Sequence, residues 1–194
     1  ADLDPSLPSE PSPWSLAASL RFRAVMRVER ETPSRTANLL QTVEPRLEWR
    51  QRFGAIAVHA RASFRTEADF AYLWDPELYD AATREAYAWQ VIPGESYVAL
   101  SGGPFELRLG EQIVNLGQGE VISVLDVITP RDLREPLLTD VGDLRLPVLI
   151  SRAKLAIERS SAEIVIVHEA YFGIVPPPLG EFSPFRKLLL GNPL

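Results

Sequence analysis

From Trp14 to Glu29 the sequence alternates between two kinds of side chain over sixteen residues. The even-numbered positions are all apolar, whereas most odd-numbered positions are small or charged and three of them are arginines. A period of two is that of a β-strand, whose successive side chains point to opposite faces. An average strand has only about five or six residues, so this length favours a sheet that crosses a thick, dry layer.

The same alternation recurs along the chain and predicts seven strands. They span about 14–29, 39–52, 56–69, 85–101, 105–116, 146–159 and 162–172.

Short and long links alternate between these strands. The short turns lie at Gly54, Gly102-Gly103 and Ser160-Ser161, and the long links lie at 31–38, 71–84, 117–145 and after Gly173. If the strands run up and down in order, all the short turns lie at one end of the sheet and all the long loops at the other. Outer-membrane β-barrels have this asymmetry.

Composition excludes several classes of function. Hydrophobic residues make up 46% of the 194 residues, and no run reaches the roughly 18 apolar residues of a membrane helix. A net charge of −6 argues against nonspecific binding of nucleic acid. The absence of cysteine excludes disulfides, thiolate metal sites and cysteine nucleophiles.

The sequence divides into two parts. Residues 1–13 are predicted to form a proline-rich leader, and 14–194 to form the β-barrel segment, with an irregular tail at 173–194.

A water-soluble antiparallel sheet also alternates polar and apolar residues, so a soluble β-domain is the alternative. Three features favour lipid. The strands reach the roughly 9–11 residues that cross a bilayer when tilted. Arginines crowd one face, and each would cost about 2–4 kcal/mol if it faced lipid at the midplane. Aromatic residues such as Trp14, Trp49 and Trp74 lie near strand ends, as in interfacial girdles.

An odd number of strands does not close a bacterial single-chain barrel. The prolines at 176–178 argue against an eighth strand in the tail. The sequence therefore predicts an all-β fold, an antiparallel up-and-down transmembrane β-barrel that is incomplete. It has about seven strands, one long inserted loop or short helix, and needs the remainder of the barrel or a second chain to close.

Two segments carry a resemblance to a known family. The run GEQIVNLG at 110–117, followed by Asp126 and TPRDLR at 129–134, resembles a proteobacterial family of porin-like outer-membrane barrels similar to alginate-export and substrate-selective porins. The resemblance implies a channel in the outer membrane of a Gram-negative bacterium, with membrane lipid as a partner. Two departures are Leu116, where the family has an aromatic, and the ending Asn192-Pro193-Leu194 in place of an aromatic terminal strand.

The long link at 117–145 is the best candidate for a functional site. Its charged cluster is expected to fold into the lumen and narrow it, because clusters of charge set pore selectivity. The alternative is a solvated external loop in which Asp132 caps a short helix within 124–138. The cluster consists of Asp126, Arg131, Asp132, Arg134 and Glu135.

Arginines on the polar side of the strands are expected to face the lumen. They either attract anionic solutes or form cross-strand ion pairs with Glu44, Glu48, Glu67 and Asp69. These lumen candidates are Arg21, Arg23, Arg27, Arg46, Arg50, Arg52, Arg61 and Arg65.

The sequence predicts no enzyme, cofactor or metal site. His59 and His168 are the only histidines and lie far apart in the sequence. No Gly-x-Ser-x-Gly elbow, phosphate loop or dinucleotide fingerprint occurs. The expected function is passive or substrate-selective transport of small solutes. The alternative is a soluble periplasmic β-domain that binds a ligand or a protein partner.

Overall fold

The structure is a computed structural model that describes residues 12–26, 37–74, 77, 79–114, 129–135, 138–140, 142–158, 160–180, 182–189 and 191. The described chain forms eight antiparallel strands and three short helices. The strands are β1 (Trp14–Met26), β2 (Ala37–Phe53), β3 (Ile56–Asp69), β4 (Trp89–Pro93), β5 (Ser96–Gly102), β6 (Phe105–Gln112), β7 (Val148–Ile157) and β8 (Ser160–Val167). The helices are α1 (Phe70–Trp74), α2 (Ala81–Tyr87) and α3 (Arg186–Leu189).

All eight strands belong to one sheet in the order β1-β2-β3-β5-β6-β7-β8, and β4 pairs with the far end of β3. Each strand pairs antiparallel with its neighbour. The predicted all-β, antiparallel class is confirmed. Within the described residues the sheet is open, with β1 and β8 at its edges, so closure into a barrel remains a proposal.

The prediction of one strand over 85–101 is wrong. Its first residues belong to α2, whose N-cap Asp80 accepts a 3.1 Å hydrogen bond from the backbone amide of Thr83. The rest forms β4 and β5, separated at Gly94. Both pair with β3, at Phe64↔Pro93 and at Arg61↔Tyr97. The interruption at Pro93-Gly94 thus divides the segment into two strands, which raises the described count from seven to eight.

Two local predictions also need correction. Ser160 pairs with Ile157 and belongs to β8, so the turn begins at Glu158, which has a positive φ of 47°. Among the described residues of 131–138, Arg131 and Asp132 form isolated β-bridges and none is helical, so Asp132 caps no helix there. Residues 124–128, where the predicted short helix could also lie, are outside the described residues. The bridge partners of Arg131 and Asp132 come from distant segments, a tertiary pairing that local sequence patterns do not reveal.

The two faces of the sheet differ sharply in chemistry. One side, the apolar face, presents large hydrophobic side chains from all eight strands to the exterior. Leu16 is 77% exposed, Phe22 62% and Ile164 65%. Register aligns these residues across strands, as in the pair Leu16↔Leu47. The opposite side, the polar face, carries the charged residues of the alternating pattern.

One cluster of core residues lies against the polar face. Val148 and Ile150 of β7 are almost completely buried there and pack with Val114. A second cluster joins Tyr72 of α1 to Tyr87 of α2, with ring centroids 5.1 Å apart. The protein thus buries part of its polar side and exposes its apolar side.

Gly110 is required where β6 pairs with β5. Its φ is +134°, and an added Cβ would lie 2.3 Å from the carbonyl oxygen of Ser96 and 2.6 Å from the Cα of Tyr97. We expect Gly110→Ala to cost at least about 2 kcal/mol, because the new side chain is strained and meets backbone. Gly103→Asn is the matched control, since Gly103 has a φ of +55° and open space around it. Chemical unfolding midpoints test this, and equal losses in the two variants would contradict it.

Candidate functional site

Part of the long link folds back over the polar face. This inserted segment comprises the described residues 129–135, 138–140 and 142–147. The amide of Asp132 donates to the carbonyl of Leu144 at 2.7 Å, and the amide of Leu133 donates to Ile174 at 2.7 Å. The stretch around Asp132 is therefore held between two other pieces of backbone.

Arg134 anchors the inserted segment to the sheet. Its side chain is 6% exposed, and its guanidinium donates to both carboxylate oxygens of Asp132, with the shortest contact at 2.5 Å. It also reaches Glu67 on β3 at 3.1 Å and the carbonyl oxygen of Ala86 at 2.6 Å. Burial alone would lower the pKa of Arg134, but the hydrogen bond and charge of Asp132, together with Glu67, outweigh it and raise the pKa. The Arg134 guanidinium therefore stays charged.

Arginines on the strands also contact the inserted segment. Arg23 of β1 forms an ion pair with Glu135 and donates to the carbonyl oxygen of Leu138 at 2.8 Å. Arg21 contacts a carboxylate oxygen of Asp143 at 2.5 Å. Arg65 of β3 donates to the carbonyl of the same residue at 3.2 Å. The inserted segment is thus fixed to β1 and β3 by charge-assisted contacts.

A cavity of about 300 Å³ remains between the inserted segment and the strands. Four arginines and six carboxylates surround it, and Leu40 and Leu138 supply apolar lining. Its charged lining residues are Arg21, Arg23, Arg65, Glu67, Asp69, Asp132, Arg134, Glu135, Asp140 and Asp143. Such a lining can orient a small polar solute through charge.

The predicted cluster is only partly described. Arg131, Asp132, Arg134 and Glu135 lie together on the inserted segment, whereas Asp126 lies outside the described residues. Asp132 and Arg134 are buried at 6% and 5% exposure, so this part of the link is not a solvated external loop.

The predicted lumen arginines fall into two groups. Arg21, Arg23 and Arg65 contact the inserted segment. Arg46, Arg50 and Arg61 lie nearer the short turns and pair with Glu44 at 3.5 Å, Glu48 at 2.6 Å and Glu95 at 3.2 Å, respectively. Ion pairing within the polar face, the alternative considered from sequence, is therefore present, although two of these three pairs lie within one strand. Arg52 pairs in register with Ala57, and Arg27 lies outside the described residues.

From sequence, Glu67 was predicted only as an ion-pair partner of the strand arginines, and Asp143 was not singled out at all. Alternation placed Glu67 on the polar side of β3, and Asp143 lies in the long link. Only the fold shows that Glu67 forms an ion pair with Arg134 and that Asp143 lies between Arg21 and Arg65 and contacts both.

The histidines lie on opposite faces. His59 on the polar face approaches Glu48 at 3.7 Å. On the apolar face His168 shares a 2.7 Å hydrogen bond with Ser151, and within the described chain no hydrogen bond holds its second ring nitrogen. Among the described residues no group of three or more potential ligands is arranged for a metal ion. The geometry thus brings the two histidines into no common site.

No helix in the described part of the chain is both long and apolar enough to cross a membrane. No protein-family model, curated protein or solved structure matches this chain. The resemblance to porin-like proteins therefore stays a prediction.

Proposed function

We propose that this chain forms part of the wall of an outer-membrane β-barrel channel for small solutes, with no enzymatic role. The observation that carries the proposal is the exposure of the apolar face across all eight strands. In water a sheet buries its apolar side, because apolar surface is expelled from water. Lipid reverses that preference.

The size of the apolar face supports lipid as its partner. The largest apolar patch on a typical soluble monomer is about 300–600 Å² and often functional. Here Leu20, Phe53, Val98, Leu107 and Ile166 are each about half exposed or more, and they lie on five different strands. A continuous surface of this extent fits the lipid-facing band of a membrane barrel.

The strand lengths also suit a bilayer. β1, β2 and β3 have 13, 17 and 14 residues. A tilted strand needs about 9–11 residues to cross the hydrocarbon layer. The longer strands therefore cross it and extend beyond its surface on the side of the long links.

The polar face and the inserted segment take the role of a lumen and its constriction. Charged side chains line the cavity between them, and the Arg134 network holds the segment in place. Solutes would pass beside the segment and be selected by size and charge.

In lipid the exposed edges of β1 and β8 must find partners, since unpaired backbone groups are costly there. We propose that further strands of the same protein or a second chain supply them. The competing function is a soluble periplasmic β-domain that binds a ligand or protein partner. The buried core at Val148 and Ile150 favours this alternative, because it shows a dry protein interior against the polar face.

Tryptophan quenching tests the contact with lipid. Trp14 lies on the apolar face, with its ring centroid 6.1 Å from that of Trp49, whereas Trp74 belongs to α1 at the opposite end of β3. In a variant that keeps only Trp14, lipids with brominated acyl chains should quench fluorescence strongly. A variant that keeps only Trp74 is the matched control and should be quenched less.

Conductance tests the channel itself. The complete protein should produce discrete current steps in planar bilayers. Absence of both quenching and conductance, with the protein remaining soluble after cell fractionation and a carbonate wash, would support the soluble β-domain instead.

A further inference from the structure

A row of basic side chains crosses the polar face between the inserted segment and the short turns. Arg50 of β2 pairs directly with His59 of β3, and Arg108 of β6 pairs directly with Arg152 of β7. Ala99 of β5 lies between these two pairs, in register with His59 on one side and with Arg108 on the other. Of these pairs only Arg108 with Arg152 sets like charges directly opposite each other, which by itself destabilises a sheet.

Each arginine of the row has a carboxylate partner, so the excess of positive charge comes from the other cations of this face. Arg50 contacts Glu48 at 2.6 Å, Arg108 contacts Glu106 at 2.8 Å, and Arg152 contacts Glu163 at 2.7 Å. Arg50 is 68% exposed while Glu48 is 15% exposed, so at β2 the guanidinium extends further from the wall than its partner. A solute moving along β2 therefore meets the cation first.

The strands carry more cations than carboxylates on this face. The cationic side chains are Arg21, Arg23, Arg46, Arg50, Arg52, Arg61, Arg65, Arg108, Arg152 and Lys154. The carboxylates on the strands, with the adjoining Glu95, are Glu44, Glu48, Glu67, Asp69, Glu95, Glu106 and Glu163. Ten cations thus face seven carboxylates in the described strands and the β4–β5 link.

The inserted segment leaves most of that excess in place. Its described residues contribute the cations Arg131, Arg134 and Arg145 and the carboxylates Asp132, Glu135, Asp140 and Asp143. The described polar side therefore keeps a positive excess of two, although the whole chain has a net charge of −6. The charge of the whole chain and the charge of this face predict opposite selectivities.

We infer that the channel conducts small anions in preference to small cations, along the polar face between the inserted segment and the short turns, where Arg50, Arg108 and Arg152 lie. The inference rests on the proposed channel function. Charges on a pore wall act over about a Debye length, roughly 10 Å at 0.1 M salt, so they reach a solute that passes along the wall. Their excess concentrates anions there and excludes cations.

The reversal potential across a planar bilayer with a KCl gradient tests the inference on the complete protein. We expect chloride to permeate about two- to fivefold better than potassium at 0.1 M salt, and the ratio to approach one at 1 M, where the Debye length is about 3 Å. The triple variant R50Q/R108Q/R152Q should lower the chloride preference to about unity or reverse it.

Arg84→Gln is the matched control, because Arg84 lies exposed on α2 and is not one of the cations on the strands. It should leave the permeability ratio unchanged. Conductance with a preference for potassium, or an unchanged ratio in the triple variant, would overturn the anion preference and leave the channel function standing. Absence of any conductance would overturn both. If the triple variant fails to insert, Arg50→Gln alone should still lower the ratio.

Discussion

Arg134→Ala is expected to destabilise the protein by about 3–5 kcal/mol, because it leaves the buried Asp132 without its charged partner and removes one of the two arginines that contact Glu67. Asp132 and Glu67 have side chains 7% and 15% exposed. Chemical unfolding followed by tryptophan fluorescence measures the loss. Cleavage by trypsin within the inserted segment should become faster as its anchor to β3 is lost.

Arg152→Ala is the matched control for this substitution. Arg152 makes a similar two-point contact with Glu163, at 2.7 and 3.0 Å, but the pair is exposed. An exposed pair contributes about 0–1 kcal/mol. A comparable loss in both variants would show that the network around Arg134 does not hold the inserted segment.

Release of the inserted segment has a second expected effect in a channel. If it narrows the lumen, Arg134→Ala should raise the single-channel conductance, whereas Arg134→Lys should raise it less because lysine keeps the charge but loses the planar fork. Unchanged conductance in a protein shown by proteolysis to have lost the anchor would contradict a constricting role.

Leu20→Arg is the second substitution with a large expected effect, and it distinguishes an apolar face in contact with lipid from one in contact with water. Leu20 is 58% exposed on the apolar face of β1. In a bilayer an arginine there should cost up to about 2–4 kcal/mol, depending on its depth, and reduce assembly into membranes. In a soluble domain the same exposed substitution should cost within about 0.5 kcal/mol.

Ser19→Arg is the paired control on the opposite face of the same strand. Ser19 pairs in register with Glu44, so an arginine there gains an opposite charge in a wet environment. Folding into vesicles from urea, measured for both variants, gives the comparison. Equal and small effects would count against lipid on the apolar face.

Alternation in the sequence predicted which side chains share a face, because antiparallel pairing preserves a period of two across strands. Leu20↔Val43 on one face and Glu48↔Arg61 on the other follow that rule. The length of β3 and its turn at Gly54 were also predictable from local signals. Whether the sheet closes could not be predicted, because closure depends on what pairs with the edge strands and not on the alternation of side chains.

Local patterns also could not show where the long link goes. The charges around Asp132 suit either a solvated loop or a folded-in segment, and the choice depends on partners far away in sequence. Arg134 forms an ion pair with Glu67 on β3, and the amide of Leu133 donates to the carbonyl of Ile174 after β8. The helix α2 was missed because its seven residues are too few for a clear periodic pattern.

The backbone hydrogen bond between Leu133 and Ile174 constrains the order of assembly. Its partner comes from beyond β8, so this anchor can form only after β7 and β8 have joined the sheet. Contacts between distant parts of a chain form late, because a long loop must close first. In the proposed channel, a newly assembled wall would therefore pass through a wide, unobstructed stage before the segment around Asp132 docks, and solutes that the mature channel excludes would leak through during that interval.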